Sequence, residues 1–195
     1  VSTGGITLTS DLNIAGTLTS TAQITTSGAF NINVASLTAT ILILGTSKIV
    51  FNSTGTWSGT GVVSCNVDIN TTGTITMSGV ISFSTNTLKY VTATSLVTTG
   101  STLQLTSFTT ILDFPASLNN ISIGNASATF LTNITLLGSL TITSIGGSFT
   151  GNTLYIGGGL TYSGTSSFAG TTNFVFNGTG AWTHTRSGTL QNNVT

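Results

Sequence analysis

The sequence predicts an all-β chain folded as a parallel β-solenoid, with coils of about 20 residues and no helices. Three observations lead there. Apolar residues alternate with small polar ones in short runs, as in Leu12-Asn13-Ile14, Ile75-Thr76-Met77 and Leu103-Gln104-Leu105, the period-2 pattern of a strand with one buried face. The runs recur: Ile134-Thr135-Leu136, Leu154-Tyr155-Ile156 and Phe174-Val175-Phe176 follow one another at a fixed interval, and Leu140-Thr141-Ile142 is matched by Leu160-Thr161-Tyr162 at the same offset. Charge is nearly absent: Asp, Glu, Lys and Arg are 3% of the 195 residues, against about 25% in ordinary soluble proteins. Stacked coils put like residues above one another, where repeated charges would repel but Thr, Ser and Asn can hydrogen-bond to their copies.

From the N-terminus, Ile6, Leu12, Leu18, Ile24 and Phe30 are spaced by six, a step resembling the hexapeptide rhythm of parallel β-helices. Phe30-Asn31-Ile32-Asn33-Val34 carries the alternation on, and the apolar run Ile41-Leu42-Ile43-Leu44 stops at Gly45. That run is far short of the roughly 20 residues of a membrane span. Next, Val50-Phe51-Asn52-Ser53-Thr54-Gly55-Thr56-Trp57 is echoed by Val175-Phe176-Asn177-Gly178-Thr179-Gly180-Ala181-Trp182, an offset of 125. An offset of about six coils is expected to place both tryptophans at comparable points of different turns. Val67-Asp68-Ile69 and Ile121-Ser122-Ile123 keep the alternation, although the spacing near residues 85 to 120 is too irregular to phase. Pro115 is the only proline, which leaves the turns to Gly and Asn, the residues that tolerate positive φ. Ile156-Gly157-Gly158-Gly159-Leu160 lacks the Lys and the helix of a phosphate loop and reads as a turn between strands. Residues 1–195 are therefore expected to form one continuous solenoid of about ten coils, uncapped at both ends. Val1-Ser2-Thr3-Gly4-Gly5-Ile6 and Leu190-Gln191-Asn192-Asn193-Val194-Thr195 both read as ordinary coil, so the rungs are expected to continue into a longer polypeptide or a head-to-tail filament.

The same composition excludes several functions. Lys48, Lys89 and Arg186 are too few for a phosphate-tracking patch, so no nucleic acid partner is expected. Thr, Ser and Gly are poor helix formers for the solvated faces of a bundle. With 38% hydrophobic residues the chain has enough apolar surface to collapse, against intrinsic disorder. Cys65 is the only cysteine, which rules out an internal disulfide and a Cys-based zinc site; it is expected as a small apolar residue in a strand. The acidic Gly-rich nonapeptide of calcium-binding solenoids is absent, so neither metal nor cofactor is expected. Asp11, Asp68 and Asp113 lie at unequal intervals, out of phase with the coil repeat. They are expected to be isolated surface or turn groups, not the clustered carboxylates that a polysaccharide-cleaving β-helix needs. His184 is the single histidine, so no Ser-His-Asp arrangement can be built and no catalytic residue is expected.

One weak candidate remains. In Trp182-Thr183-His184-Thr185-Arg186 alternation can put Trp182, His184 and Arg186 on one strand face, a contact patch for a sugar or an anion. Two motifs carry no signal. Seven Asn-x-Ser/Thr sequons, at Asn52, Asn70, Asn120, Asn125, Asn133, Asn177 and Asn193, match the roughly six that 16 Asn and 69 Ser/Thr give by chance. Eleven Thr-x-Thr pairs among 44 threonines match the roughly ten expected, so the count does not indicate an ordered ice-binding ladder.

The segment Leu160-Thr161-Tyr162-Ser163-Gly164-Thr165-Ser166-Ser167-Phe168-Ala169-Gly170-Thr171-Thr172-Asn173-Phe174 resembles the Gly/Thr-punctuated strand repeats of large bacterial surface proteins. Autotransporter passenger regions and filamentous haemagglutinin-like adhesins are of this kind, and phage tail-fibre solenoids share the style. The resemblance implies a right-handed β-helix, extracellular or at the cell surface, with structural or adhesive duty and no catalytic residues. The expected function is thus a structural fibre or cell-surface filament or adhesin module. Its expected partners are copies of itself joined end to end and a cell-surface or glycan ligand. A receptor- or glycan-binding phage-type fibre is the alternative, followed by an ice-binding protein and a polysaccharide-active enzyme. An outer-membrane barrel is disfavoured, since its strands should run about 9 to 11 residues with aromatic girdles.

Overall fold

A computed structural model describes residues 6–41, 43–84, 86–92, 95–106, 110–114, 116–124, 126–143, 147–165, 167–185, 191 and 194–195. It is a parallel β-solenoid with coils of about 20 residues and, among the described residues, no helix. The chain winds over three faces in fixed order. Face 1 is a sheet of ten strands among the described residues, running from Ile6–Thr7 and Ile24–Ser27 to Leu160–Tyr162 and Trp182–His184. Face 2 begins at Leu12–Ser20 and passes through Asn31–Ala39, Lys48–Phe51, Val67–Asn70, Thr87–Thr92 and Thr110–Asp113. Face 3 starts on the second halves of the two nine-residue strands, Leu12–Ser20 and Asn31–Ala39, which turn the corner unbroken. Asn31–Ala39 accordingly pairs with both Lys48–Phe51 and Gly55–Ser58. Further along, a four-stranded sheet from Ser117–Leu118 to Phe174–Phe176 continues face 3.

The expected spacing has a physical origin in this triangle. Each step of six moves the chain on by one face: Ile6 lies on face 1, Leu12 and Leu18 at the two halves of the corner-turning strand, and Ile24 back on face 1. The longer recurrence is direct pairing, Ile134 with Leu154 with Phe174 on face 3 and Leu140 with Leu160 on face 1. In the middle, successive coils differ in length yet compensate. On face 1 a long coil, in which Val80 pairs with Thr102, is followed by a short one, in which Thr102 pairs with Asn120. Extra residues fall in corners, where no ladder constrains them, and the strands stay in register. Pro115 lies outside the described residues.

The tryptophan echo is corrected. Trp57 sits on face 3 in Gly55–Ser58 and is 1% exposed, whereas Trp182 sits on face 1 in Trp182–His184 and is 50% exposed. The two segments share letters but occupy different faces. Val50 and Phe51 belong to face 2, while Val175 and Phe176 belong to face 3.

Inside, the inward positions stack into apolar columns. On face 1, Ile24, Ile43, Val63, Phe83, Leu105, Ile123, Ile142 and Tyr162 follow one another rung by rung, and all are buried. Each such side chain contributes roughly 1.5–3 kcal/mol on burial, which no single coil could gain alone. Aromatic rings join the faces across the core. Trp57 of face 3 lies 5.5 Å from Phe51 of face 2 and 6.4 Å from Phe83 of face 1. Corners are tight enough to demand glycine: at Gly59 (φ +107°) a Cβ would run into the Ala39 carbonyl oxygen, and at Gly178 into that of Gly157. The Gly157-Gly158-Gly159 stretch is the expected turn, with the Gly158 N–H donating to Gly138 one coil below at 2.7 Å. Cys65 is buried but lies in the bend between Val62–Ser64 and Val67–Asn70, outside the expected strand.

Candidate functional site

The three outward surfaces differ in chemistry. Face 2 and its leading edge carry all five charged residues that the structure describes. Lys48, Asp68, Lys89 and Asp113 occupy outward positions flanked by the fully buried Ile49, Val67, Leu88 and Leu112. Lys48 Nζ donates to Asp68 Oδ2 at 2.8 Å, Lys89 pairs in register with Asp68 on one side and Asp113 on the other, and its Nζ lies 3.7 Å from Asp113 Oδ2. Asp11, beside the start of the same face, accepts from the Asn31 backbone N–H at 2.8 Å and from its side-chain amide at 3.2 Å. The expectation of isolated aspartates is overturned for Asp68 and Asp113, whereas Asp11 is an exposed group outside the strands, as expected. Two successive long coils on face 2, from Val67 to Leu88 and from Leu88 to Leu112, bring Asp68 and Asp113 to the same column two rungs apart. Those two carboxylates stand about 10 Å apart by rung spacing, with Lys89 filling the interval where a substrate bond would have to sit.

Face 1 is the opposite case. Ser82, Gln104, Ser122, Thr141, Thr161 and Thr183 form one outward column in unbroken register. Two residues further along each strand come Ser84, Thr106, Gly124, Thr143, Ser163 and Thr185, whose N–H groups each donate to the coil below. Thr141-x-Thr143, Thr161-x-Ser163 and Thr183-x-Thr185 thus align on three successive rungs, an order that the chance-level count of such pairs does not reveal.

Trp182 and His184 do share one side of a strand, and it is the inward side. Trp182 pairs with Leu160 and His184 with Tyr162, both fully buried. The two residues end the two apolar columns of face 1, the His184 ring stacking on Tyr162 at 5.2 Å and Trp182 on Phe176 at 6.5 Å. Their exposure is that of the last layer of the core. Arg186 lies outside the described residues, as do Asn125, Asn193 and residues 1–5. At the other terminal coil, Leu12 heads a face 2 column and is 37% exposed, with Ile14 and Leu18 partly buried beside it.

Face 3 holds a feature that sequence reasoning missed. Tyr155 lies between the fully buried Leu154 and Ile156 and so points outward, in a groove of about 450 Å³ with Thr153, Asn173 and Val175. Alternation in Leu154-Tyr155-Ile156 was the signal that could have found it. A second depression, of about 350 Å³ on face 2, is lined by Thr110, Ser127, Thr129, Ser148 and Thr150; the Thr129 and Thr150 hydroxyls bond at 3.1 Å, the Ser148 backbone N–H donates to Ser127 Oγ at 2.9 Å, and the buried Thr110 hydroxyl has no partner. Burial pushes the Cys65 thiol up to about 12, a bond from the Ile49 backbone pulling weakly the other way. Among the described residues no three His, Cys, Asp or Glu side chains converge, and no helix is long and apolar enough to cross a membrane. No protein-family model, curated protein or solved structure matches the chain.

Proposed function

We propose that the chain is a non-catalytic structural or adhesive module of an extracellular or cell-surface fibre, of the kind built by large bacterial surface proteins. The observation that carries this reading is the uninterrupted run of parallel strands along face 1, apolar within and neutral without. Such a stack transmits length and resists proteolysis through its closed backbone ladders, and the charged column of face 2 pairs its acids with lysines. The exposed apolar side chains of Leu12 and Trp182 would suit stacking of one copy on another. Electron microscopy of native material and sizing of the purified chain over a concentration series test the proposal. Fibres or surface stalks support it. A compact intracellular protein, or a chain that depolymerises a polysaccharide, would defeat it.

The hydroxyl grid of face 1 favours a second reading. Its rungs repeat at about 4.8 Å and its columns at about 6.6 Å without charge among the described residues, a spacing suited to an ordered surface such as ice. Absence of ice shaping in a thermal-hysteresis assay removes it.

A further inference from the structure

Among the described residues, register sends most aromatic rings inward. Phe51, Trp57, Phe83, Phe114, Phe130, Phe149, Tyr162 and Phe174 are all buried, and Tyr155 is the aromatic that the described strands turn outward on a coil covered from both sides. An outward ring gains little from the hydrophobic core, so its place invites a chemical reason. Tyr155 is flanked in register by Thr135 on one rung and Val175 on the next. Beside it runs a second outward column, Asn133, Thr153 and Asn173, in which Asn133 Oδ1 accepts the Thr153 N–H at 3.0 Å. The rung of Val194 and Thr195, held by the Thr195 N–H to Phe174 O and the Phe176 N–H to Thr195 O at 2.9 Å each, bounds the groove.

We propose that this groove is a subsite for a neutral sugar ring. A pyranose presents an apolar C–H face and an equatorial rim of hydroxyls, and the groove answers both: a phenol ring and the Val175 methyls for the face, the amide of Asn173 and the hydroxyls of Thr153 and Thr195 for the rim. No charged side chain lines it, so an acidic sugar finds no counter-ion and loses hydration on entering. The face 2 depression has no aromatic ring to meet the apolar face of a sugar, and so does not compete as a site for one. This assignment rests on the adhesive half of the proposed function and gives that half a ligand class.

The test is ligand-observed NMR and titration calorimetry on the full chain, with glucose, galactose, mannose and N-acetylglucosamine oligosaccharides against sialylated and uronic ones. Neutral oligosaccharides are expected to bind and acidic ones not. Tyr155→Ala should weaken binding at least about tenfold, Tyr155→Phe should keep most of it, and Val175→Lys, which leaves the ring in place and fills the groove, should abolish it. Thr141→Ala on face 1 should leave it unchanged. Absence of binding to every neutral sugar by a folded chain overturns the subsite, as does full binding by folded Tyr155→Ala or Val175→Lys. Should Tyr155→Ala fail to fold, Val175→Lys and Tyr155→Phe decide. The failures are separable: rods at the cell surface that bind no sugar sink the subsite alone, whereas a sugar-binding chain that forms no surface fibre sinks the structural reading.

Discussion

Face 1 and face 2 are built from the same stacked strands, yet they keep register by different means. On face 1, from Ser82 to Thr183, neutral hydroxyl and amide side chains lie one above another, and a long coil from Ser82 to Gln104 is offset by a short one from Gln104 to Ser122. On face 2 the coils are less even, a short one running from Asn31 to Lys48 and a long one from Leu88 to Leu112, and the charges sit there, Lys48 with Asp68 and Lys89 with Asp113. A strand can slip by two residues and keep its apolar side inward. Opposite charges on successive rungs penalise such a slip where a long corner gives the chain freedom to make it. Lys48, Asp68, Lys89 and Asp113 thus lie on the face where coil length varies most, and their alternating sign avoids the repulsion that a repeated charge would bring.

The largest test of this contrast removes what the two faces share. Trp57→Ala should cost about 3–5 kcal/mol in chemical denaturation, because its ring touches both Phe51 and Phe83; a loss below about 1 kcal/mol would mean that the faces are not coupled through the core. Next comes the seam where face 1 passes to face 2. The Cys65 thiol is raised from 9.0 to about 12 in the folded chain, so above pH 9 the unfolded state loses a proton that the folded state retains. Stability should be unaffected below that pH and fall as pH rises through the window, by on the order of 1 kcal/mol at pH 10. Thermal melts of Cys65→Ala should lose the part of this dependence that sets in at pH 9, leaving the loss at higher pH that Tyr162, also raised by burial, adds. Asp113→Lys sets like charges on adjacent rungs of face 2 and should cost about 1 kcal/mol at low salt, and less at high salt. If the reversal is silent at low salt, the core alone holds the register. The smallest effect is expected on face 1, where Thr141→Val should stay within about 0.5 kcal/mol; a larger loss would show that its hydroxyl columns act as strongly as the ion pairs.

Legibility followed the same division. Strand parity was readable everywhere, because a residue's choice between core and solvent depends only on its neighbours in the strand. Tyr155 between Leu154 and Ile156, or Trp182 and His184 flanking Thr183, could be assigned to one side of a strand from sequence. Which side of Trp182–His184 faces inward could not, since Thr183 and Trp182 both border solvent, and only pairing with Leu160 shows Trp182 to extend an inward column. The Asp68–Lys89–Asp113 column was hidden for another reason. Its members are separated by corners of unequal length, and a ruler of fixed period misplaces each of them. The Val50 and Val175 segments misled in the reverse way, their matching letters lying on different faces.

By itself the sequence determined that the chain is made of short half-buried strands stacked in parallel, coil upon coil of similar length. Period-2 alternation and a repeat at fixed offset each follow from local chemistry, and neither needs knowledge of what lies across the fold. Only the tertiary structure decided which residues meet between coils: the charged column of face 2, the hydroxyl grid of face 1, the Tyr155 groove of face 3 and the inward place of Trp182. Those meetings are set by corner lengths, and corners form no ladder and leave no periodic trace in the residues that make them.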